Sequence, residues 1–352
     1  MWISNKLMKL LQMDVPVIQA GMAGGITTPE LIAAVSNAGG LGNLGAGYMK
    51  AEDMKDSIQK VKQMTKRSFG VNVFIPEYPE IIEEELQRAN AWLEPLRKEL
   101  KIKEVPKPKI STALYAQQID VLLEQLVPVC SFTFGVPSKE VVHELKKSGI
   151  RVIGTATTVE EAVVNEDRGV EAVVVQGSEA GGHRGTFLKS GGQPMIGSMS
   201  LVPQAADEVD IPVIAAGGIM DGRGVAAALT LGAEAAQLGT AFVTAEESGA
   251  FPEHKEAILQ ANEQDVEITS AFSGKPARGI RNSFIEKMNI HETDWPAYPI
   301  QNSLTKDIRK EAAVQHRAEY MSLWSGQSPR LSTSKAAGDL VAGIAKEVMK
   351  LR

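Results

Sequence analysis

The chain has 352 residues, with 37 Lys and Arg against 43 Asp and Glu and a formal net charge of −6. Apolar residues are 43% and charged residues 23%, an ordinary globular balance, and the acidic excess speaks against nonspecific nucleic-acid binding. The one cysteine, Cys130, excludes an internal disulfide and a cysteine-built metal site; its apolar setting after Val127 predicts a buried strand thiol rather than a reactive one.

Met1 to Lys6 is followed by Asp14 and Pro16, with no long apolar run before a small-residue cleavage site, so it does not read as a secretory signal. No segment reaches the roughly 18 unbroken apolar residues of a membrane span. The expectation is a soluble, cytoplasmic protein.

Eight short apolar runs then alternate with helical stretches: Val15–Gln19, Leu41–Gly45, Phe69–Phe74, Val127–Phe132, Arg151–Thr155, Ala172–Gln176, Ile211–Ala216 and Ala235–Gly239. Most lack in/out alternation, as parallel strands covered on both faces do. Helices are predicted from Thr28-Pro29, with Thr at the N-cap and Pro at the first helical position, and over Ser138–Lys147, Val159–Asp167 and Asp221–Leu231. Eight such units predict a (β/α)8 barrel. An open doubly wound sheet is disfavoured, because no Gly-x-Gly-x-x-Gly follows the first strand.

Two regions break the repeat. Residues 75–120 are too long for one crossover and are predicted as a helical insertion, with a charged helix over Ile81–Arg88 and a stiff connector over Val105–Lys109. Residues 245–352 follow the barrel proper (1–244). They predict a mostly helical cap over 245–311 and C-terminal helices over 312–352 that return to the barrel. The helical patterns are Glu253–Ala261, Ile308–Tyr320 and Lys335–Leu351, around a loop-rich stretch from Ala271 to Thr305.

Barrel sites lie at the C-terminal ends of the strands, and a phosphate site commonly follows the seventh and eighth. Here those ends carry Gly217-Gly218 and Gln237-Leu238-Gly239-Thr240. Glycines let backbone N–H groups approach a phosphate, although a tight turn would also use them. The sixth strand ends in Gln176-Gly-Ser-Glu-Ala-Gly181-Gly-His183-Arg-Gly185. Four glycines there predict an open loop, and His183 is the group in it that titrates near neutral pH. His143, His254, His291 and His316 sit on predicted helices or beside charges and read as structural or surface residues; no two histidines have metal-ligand spacing. Asn72 and Gln176, two amides at strand ends, offer a donor and an acceptor each to a pyrimidine-like ring. The turn at Gly21-Met22 would let a flat ring lie against backbone.

These pieces together resemble the nitronate monooxygenase family, flavin-dependent (β/α)8 barrels. The matching segments are Pro16–Met22, Gly70–Val73, Gln176–Gly185, Ile214–Ile219 with Asp221–Arg223, Gln237–Thr240, Phe272–Gly279, Tyr298–Asn302 and Trp324–Ser328. The His183 segment is shared with the flavin type of enoyl-acyl-carrier-protein reductase; Ala277–Gly279 and Tyr298–Asn302 separate the two. The resemblance implies FMN, with its phosphate at Gly217, Gly218 and Gln237, Leu238, Gly239 and Thr240. Asn72, Gln176 and Gly181 would contact the flavin, Gly21 and Met22 would lie beside its ring, and His183 would face the substrate, with Tyr298 on the pocket wall or packed at a hinge.

The implied activity is oxidation of alkyl nitronates, such as propionate 3-nitronate, by dioxygen to an oxo compound and nitrite. His183 would be either a protonated anion holder or a neutral base. The alternatives are NAD(P)H-dependent reduction of an enoyl thioester and a flavin-binding module without turnover. No nucleic acid, membrane or metal enters this reading, and a homodimer is the default assembly.

Overall fold

The computed structural model describes residues 5–108, 110–188, 194–291 and 294–351. In chain order its strands are β1 (Val17–Gln19), β2 (Gly42–Gly45), β3 (Phe69–Phe74), β4 (Val129–Thr133), β5 (Arg151–Ala156), β6 (Ala172–Gln176), β7 (Gly182–His183), β8 (Val213–Ala216), β9 (Ala235–Leu238), β10 (Val266–Thr269) and β11 (Ala277–Ile280). Eight of them run parallel in the order β1-β9-β8-β6-β5-β4-β3-β2. Ile18 bridges Leu41 to bring the two end strands together, with Gln19 N donating to Leu41 O at 2.9 Å and Leu41 N to Val17 O at 3.0 Å. This is the barrel that the alternation predicts, each strand coinciding with one of the eight apolar runs.

Local chemistry starts the surrounding helices where the sequence places them. Thr28 accepts from Leu31 N ahead of the helix Pro29–Asn37, and Ser138 from Val141 N ahead of Lys139–Lys147. Thr158 accepts from Glu161 N ahead of Val159–Asp167, and Asp221 from Arg223 and Gly224 N ahead of Gly222–Thr230. The helix Ala337–Leu351 returns to the barrel wall and buries Val341, Ile344 and Val348, worth about 1.5–3 kcal/mol each. Its Glu347 accepts from Gly222 N at 2.8 Å.

The barrel interior is filled by Ile18, Leu41, Val129, Ile153, Val174, Ile214 and Ala235. The N-terminal helix Lys6–Leu11 adds Leu7 and Leu11 to the same cluster, packing against the core of the barrel. Cys130 is fully buried on β4, and burial pushes its thiol pKa up.

The insertion holds a helix over Glu83–Glu99, longer than the predicted Ile81–Arg88, and a second over Leu114–Gln125 that leads into β4. Residues 102–108 carry no regular structure, and Lys109, the end of the expected connector, lies outside the described residues. The C-terminal region differs from expectation in two ways. The helix expected over Ile308–Tyr320 ends at Val314, because His316 turns left-handed at φ 56°, and a 3-10 turn over Ala318–Tyr320 follows. The stretch expected as loop from Ala271 to Thr305 contains β11 and helices over Ser283–Met288 and Ile300–Leu304.

β10, β11 and β7 form a second, antiparallel sheet in which Ala277 pairs with His183. Insertion and C-terminal region share one core, where Leu93 and Leu96 meet Phe272, Phe284, Leu304 and Ile308. Buried Arg97 ties the two regions, its Nε donating to Asp307 at 2.8 Å and its Nη2 to Leu304 O at 2.7 Å.

Candidate active site

The Gly-rich stretch after β6 is not the open loop that its composition predicts. It is fastened by side chains on every side. Gln176 Nε2 donates to His183 O at 3.1 Å while its Oε1 accepts from Gly185 N at 2.8 Å, so the amide staples its own loop. Buried Arg184 donates from Nη1 to Gln176 O and Gly177 O, and Arg278 donates to Ser178 O. Glu179 takes Ser198 N and Oγ. The fully buried carboxylate of Glu161 accepts from Thr157 N and Oγ1, Thr186 Oγ1, Phe187 N and Leu188 N. Gly181 is required by close approach, since a Cβ there would lie 2.5 Å from Gly326 N. His183 itself belongs to β7, held edge-on to β11.

The His183 ring stands among aromatic rings. Its centroid is 5.9 Å from Phe134, 5.9 Å from Tyr298 and 5.5 Å from Trp324. Burial, followed by the positive charges of Arg309 and Lys275, pushes the imidazole down to about 3, so it is neutral at neutral pH. Its Nε2 lies 2.8 Å from Ser273 Oγ. That hydroxyl donates to Lys275 O at 3.0 Å. With its one hydrogen used there, Ser273 accepts from Nε2–H, an assignment that rests on this bond count and leaves the Nδ1 lone pair free. Lys275 Nζ lies 4.6 Å from the Phe134 centroid and 5.7 Å from that of Tyr298, and pairs with Glu77.

The structure thus brings Tyr298 to His183. Tyr298 is buried beside a cis Tyr298–Pro299 bond, its hydroxyl lies 3.2 Å from that of Tyr48, and burial pushes its pKa up.

The adjoining part of the barrel mouth, after β8 and β9, is lined by backbone; β8 pairs directly with β6, from which the His183 loop leaves. Gly217 and Gly218 follow β8 with φ of 109° and 72°, a region costly for any other residue. Among the described residues, the N–H groups of Gly217, Gly218 and Gly239 donate no hydrogen bond within the chain. Gly239 precedes the short helix Thr240–Val243, and Gln237 and Leu238 end β9. The Thr240 hydroxyl accepts from Gly326 N at 2.9 Å, which draws the C-terminal segment against this turn.

Asn72 is buried on β3 and donates to Ser131 Oγ at 2.9 Å and Thr133 Oγ1 at 3.1 Å; its Oδ1 accepts nothing among the described residues. Gly21 lies against it, an added Cβ falling 2.6 Å from Asn72 Cβ. The next residue, Met22, is held through its carbonyl by Thr27 Oγ1 at 3.2 Å.

The sequence reading missed Ser273, Lys275, Arg309, Phe134 and Trp324. Ser273 and Lys275 stand inside the recognised segment Phe272–Gly279 and Trp324 opens the recognised segment Trp324–Ser328, which is the signal the sequence offers for them. The other four histidines stand apart from the pocket's polar contacts: His143 is exposed on the helix Lys139–Lys147, His254 is buried and bonds Trp324 O, His291 stacks on Trp92, and exposed His316 meets Glu253.

A parallel barrel with unpaired backbone donors after its last two strands, and a half-buried histidine paired into the second sheet, is the frame of a small-molecule enzyme. The comparisons narrow the class. The family profile described as nitronate monooxygenase matches residues 4–347. A probable nitronate monooxygenase of Staphylococcus aureus (strain JH9) is 50% identical over 352 residues, covering 100% of this chain and 99% of the relative. Among solved structures, the nitroalkane oxidase from Streptomyces ansochromogenes superposes with TM-score 0.92 at 42% identity, covering 98% of each chain. FabK from Thermotoga maritima gives TM-score 0.79 at 32% identity, covering 99% of this chain and 97% of the other. The chain belongs to the nitronate monooxygenase family. It is therefore an oxidoreductase by family, and membership implies a flavin cofactor.

Proposed function

We propose that the protein oxidises alkyl nitronates, propionate 3-nitronate among them, with FMN as cofactor and dioxygen as acceptor, releasing an oxo compound and nitrite. The observation that carries the reading is the placement of half-buried His183 among Phe134, Tyr298 and Trp324, with the Lys275 ammonium over two of the same rings.

The residues fit the cofactor. The unpaired N–H groups of Gly217, Gly218 and Gly239 form a cradle suited to a phosphate, with Gln237, Leu238 and Thr240 beside them. Asn72 Oδ1 is free to accept from a ring N–H. Gln176 and Gly181 border the same mouth, and Gly21 and Met22 would lie along the ring. FMN, when bound, supplies the redox chemistry, taking electrons from the substrate and passing them to dioxygen.

The chain's own residues set the proton and charge balance. Of the two roles open to His183, the neutral one is favoured, because burial and two cations disfavour a third charge. Its Nδ1 can then take a proton from carbon if a neutral nitroalkane enters. A nitronate needs no such transfer, and its negative charge is met by cations rather than by imidazolium. Ser273 holds the ring orientation, and Tyr298 walls the pocket.

Anaerobic mixing of the yellow protein with propionate 3-nitronate and, separately, with NADPH tests the reading through the visible flavin absorbance. Rapid bleaching by the nitronate and little by NADPH is expected. Bleaching by NADPH alone would replace this reading with reduction of an enoyl thioester.

A further inference from the structure

We infer that Lys275 is the anion-binding residue of this pocket and that Glu77 is its resting counter-ion, displaced when an anionic substrate enters. The inference deepens the nitronate reading, and its substrate chemistry rests on that reading.

Lys275 and His183 share two aromatic walls. The Lys275 ammonium lies over the rings of Phe134 and Tyr298, and the same two rings flank His183 at 5.9 Å each. The Lys275 side chain is only 12% exposed, so its charge is largely removed from water and calls for an anionic partner. Glu77 fills that place, yet its own side chain is 38% exposed. Glu77 comes from residues 75–82, which carry no regular structure after β3.

Arg309, the other cation acting on His183, is committed elsewhere. Its Nη2 donates to Asn302 O at 2.7 Å and to Asn302 Oδ1 at 2.9 Å, and its Nε to Thr305 O. Lys275 is the cation whose charged partner, Glu77, is a partly exposed side chain. An ammonium has three donors and no fixed geometry, so a nitronate oxygen can take the place of the Glu77 carboxylate without moving the backbone. No bond is made or broken in this exchange. Glu77, while paired, also repels an incoming anion, so it competes with substrate for one charge.

The test reads binding without turnover. Flavin-loaded protein is titrated with sodium nitrate at constant ionic strength, followed by calorimetry and by tryptophan fluorescence, since Trp324 lies 5.5 Å from His183. Lys275→Met is expected to weaken nitrate binding by about tenfold or more, the scale of one charge-assisted hydrogen bond. Lys275→Arg is expected to retain most of it, and Glu77→Gln to tighten it several-fold.

Both Lys275→Met and Glu77→Gln break the same ion pair. A purely structural pair would therefore shift nitrate binding in one direction for both, and that result, or unchanged binding in Lys275→Met, overturns the inference. If the nitrate pattern holds while propionate 3-nitronate fails to bleach the flavin, the anion site stands and the nitronate reading falls.

Discussion

Two neighbouring parts of the barrel mouth are built from different materials. The part at Gly217, Gly218 and Gly239 presents unpaired main-chain N–H groups, with Glu179 and Ser328 beside Gly218 and Ala20 and Met22 beside Gly239. The part at His183 is side chain throughout: an imidazole, aromatic rings, two cations and the carboxylates behind them. A backbone cradle holds its donors by geometry and is indifferent to most substitutions except at the glycines. A side-chain pocket can be tuned residue by residue, and can be dismantled the same way. On the proposed function, anchoring falls to the part of the chain that varies least in chemistry, and selectivity to the part that varies most.

The contrast can be broken at several points. His183→Asn should cost the largest factor, on the order of 10² to 10⁴ in turnover of a neutral nitroalkane, with a smaller loss on the preformed nitronate; equal turnover on both substrates would remove His183 from the chemistry. Glu161→Gln lies behind the pocket, yet it replaces an acceptor of five hydrogen bonds with a group that also donates. It should destabilise the protein by about 3 kcal/mol in thermal or urea unfolding, with the His183 loop the first region to open. Gly217→Ala attacks the glycine turn after β8. With φ at 109° and Gly177 O 3.1 Å from the new Cβ, strain of about 1–2 kcal/mol should appear as flavin loss on dialysis, with His183 chemistry intact in the loaded fraction.

Ser273→Ala frees the imidazole to choose its tautomer and should lower nitroalkane turnover by about tenfold, the worth of one hydrogen bond. The last readout is pH dependence. The His183 pKa is depressed from 6.5 to about 3, so the unfolded chain binds a proton in that interval that the native protein refuses. Stability should fall as pH drops from about 6.5 towards 3 and be fully present above it. His183→Asn should flatten that acid flank; His254, also depressed by burial, leaves a residual slope in the variant.

The two parts also differ in how far the sequence discloses them. Gly217, Gly218 and Gly239 are readable because strand, turn and glycine are contiguous, and a barrel fixes where such turns face. The strands and the caps at Thr28, Ser138, Thr158 and Asp221 are readable for the same local reason. The side-chain half depends on pairings between distant segments. Nothing near His183 in the chain announces Ala277 as its strand partner or Ser273 as its hydrogen-bond partner. Glycines that suggest an open loop in fact permit close packing: Gly181 admits the backbone of Ser325 and Gly326, and such contact has no local signature. Arg309 was invisible because its role is charge across a pocket, not a motif.

The small sheet of β10, β11 and β7 has a consequence for how the molecule breathes. Cap and His183 loop are joined by main-chain bonds: Arg184 N donates to Pro276 O at 2.9 Å and Gln327 N to Glu179 O at 2.9 Å. A hinged cap would have to tear these apart or carry His183 with it. The two therefore form one cooperative opening unit, and amide hydrogen exchange at Arg184 and Gln327 should proceed at a common rate, slower than in the connector over residues 102–108. Ligands must then come and go past side chains at the rim, with the roof staying in place.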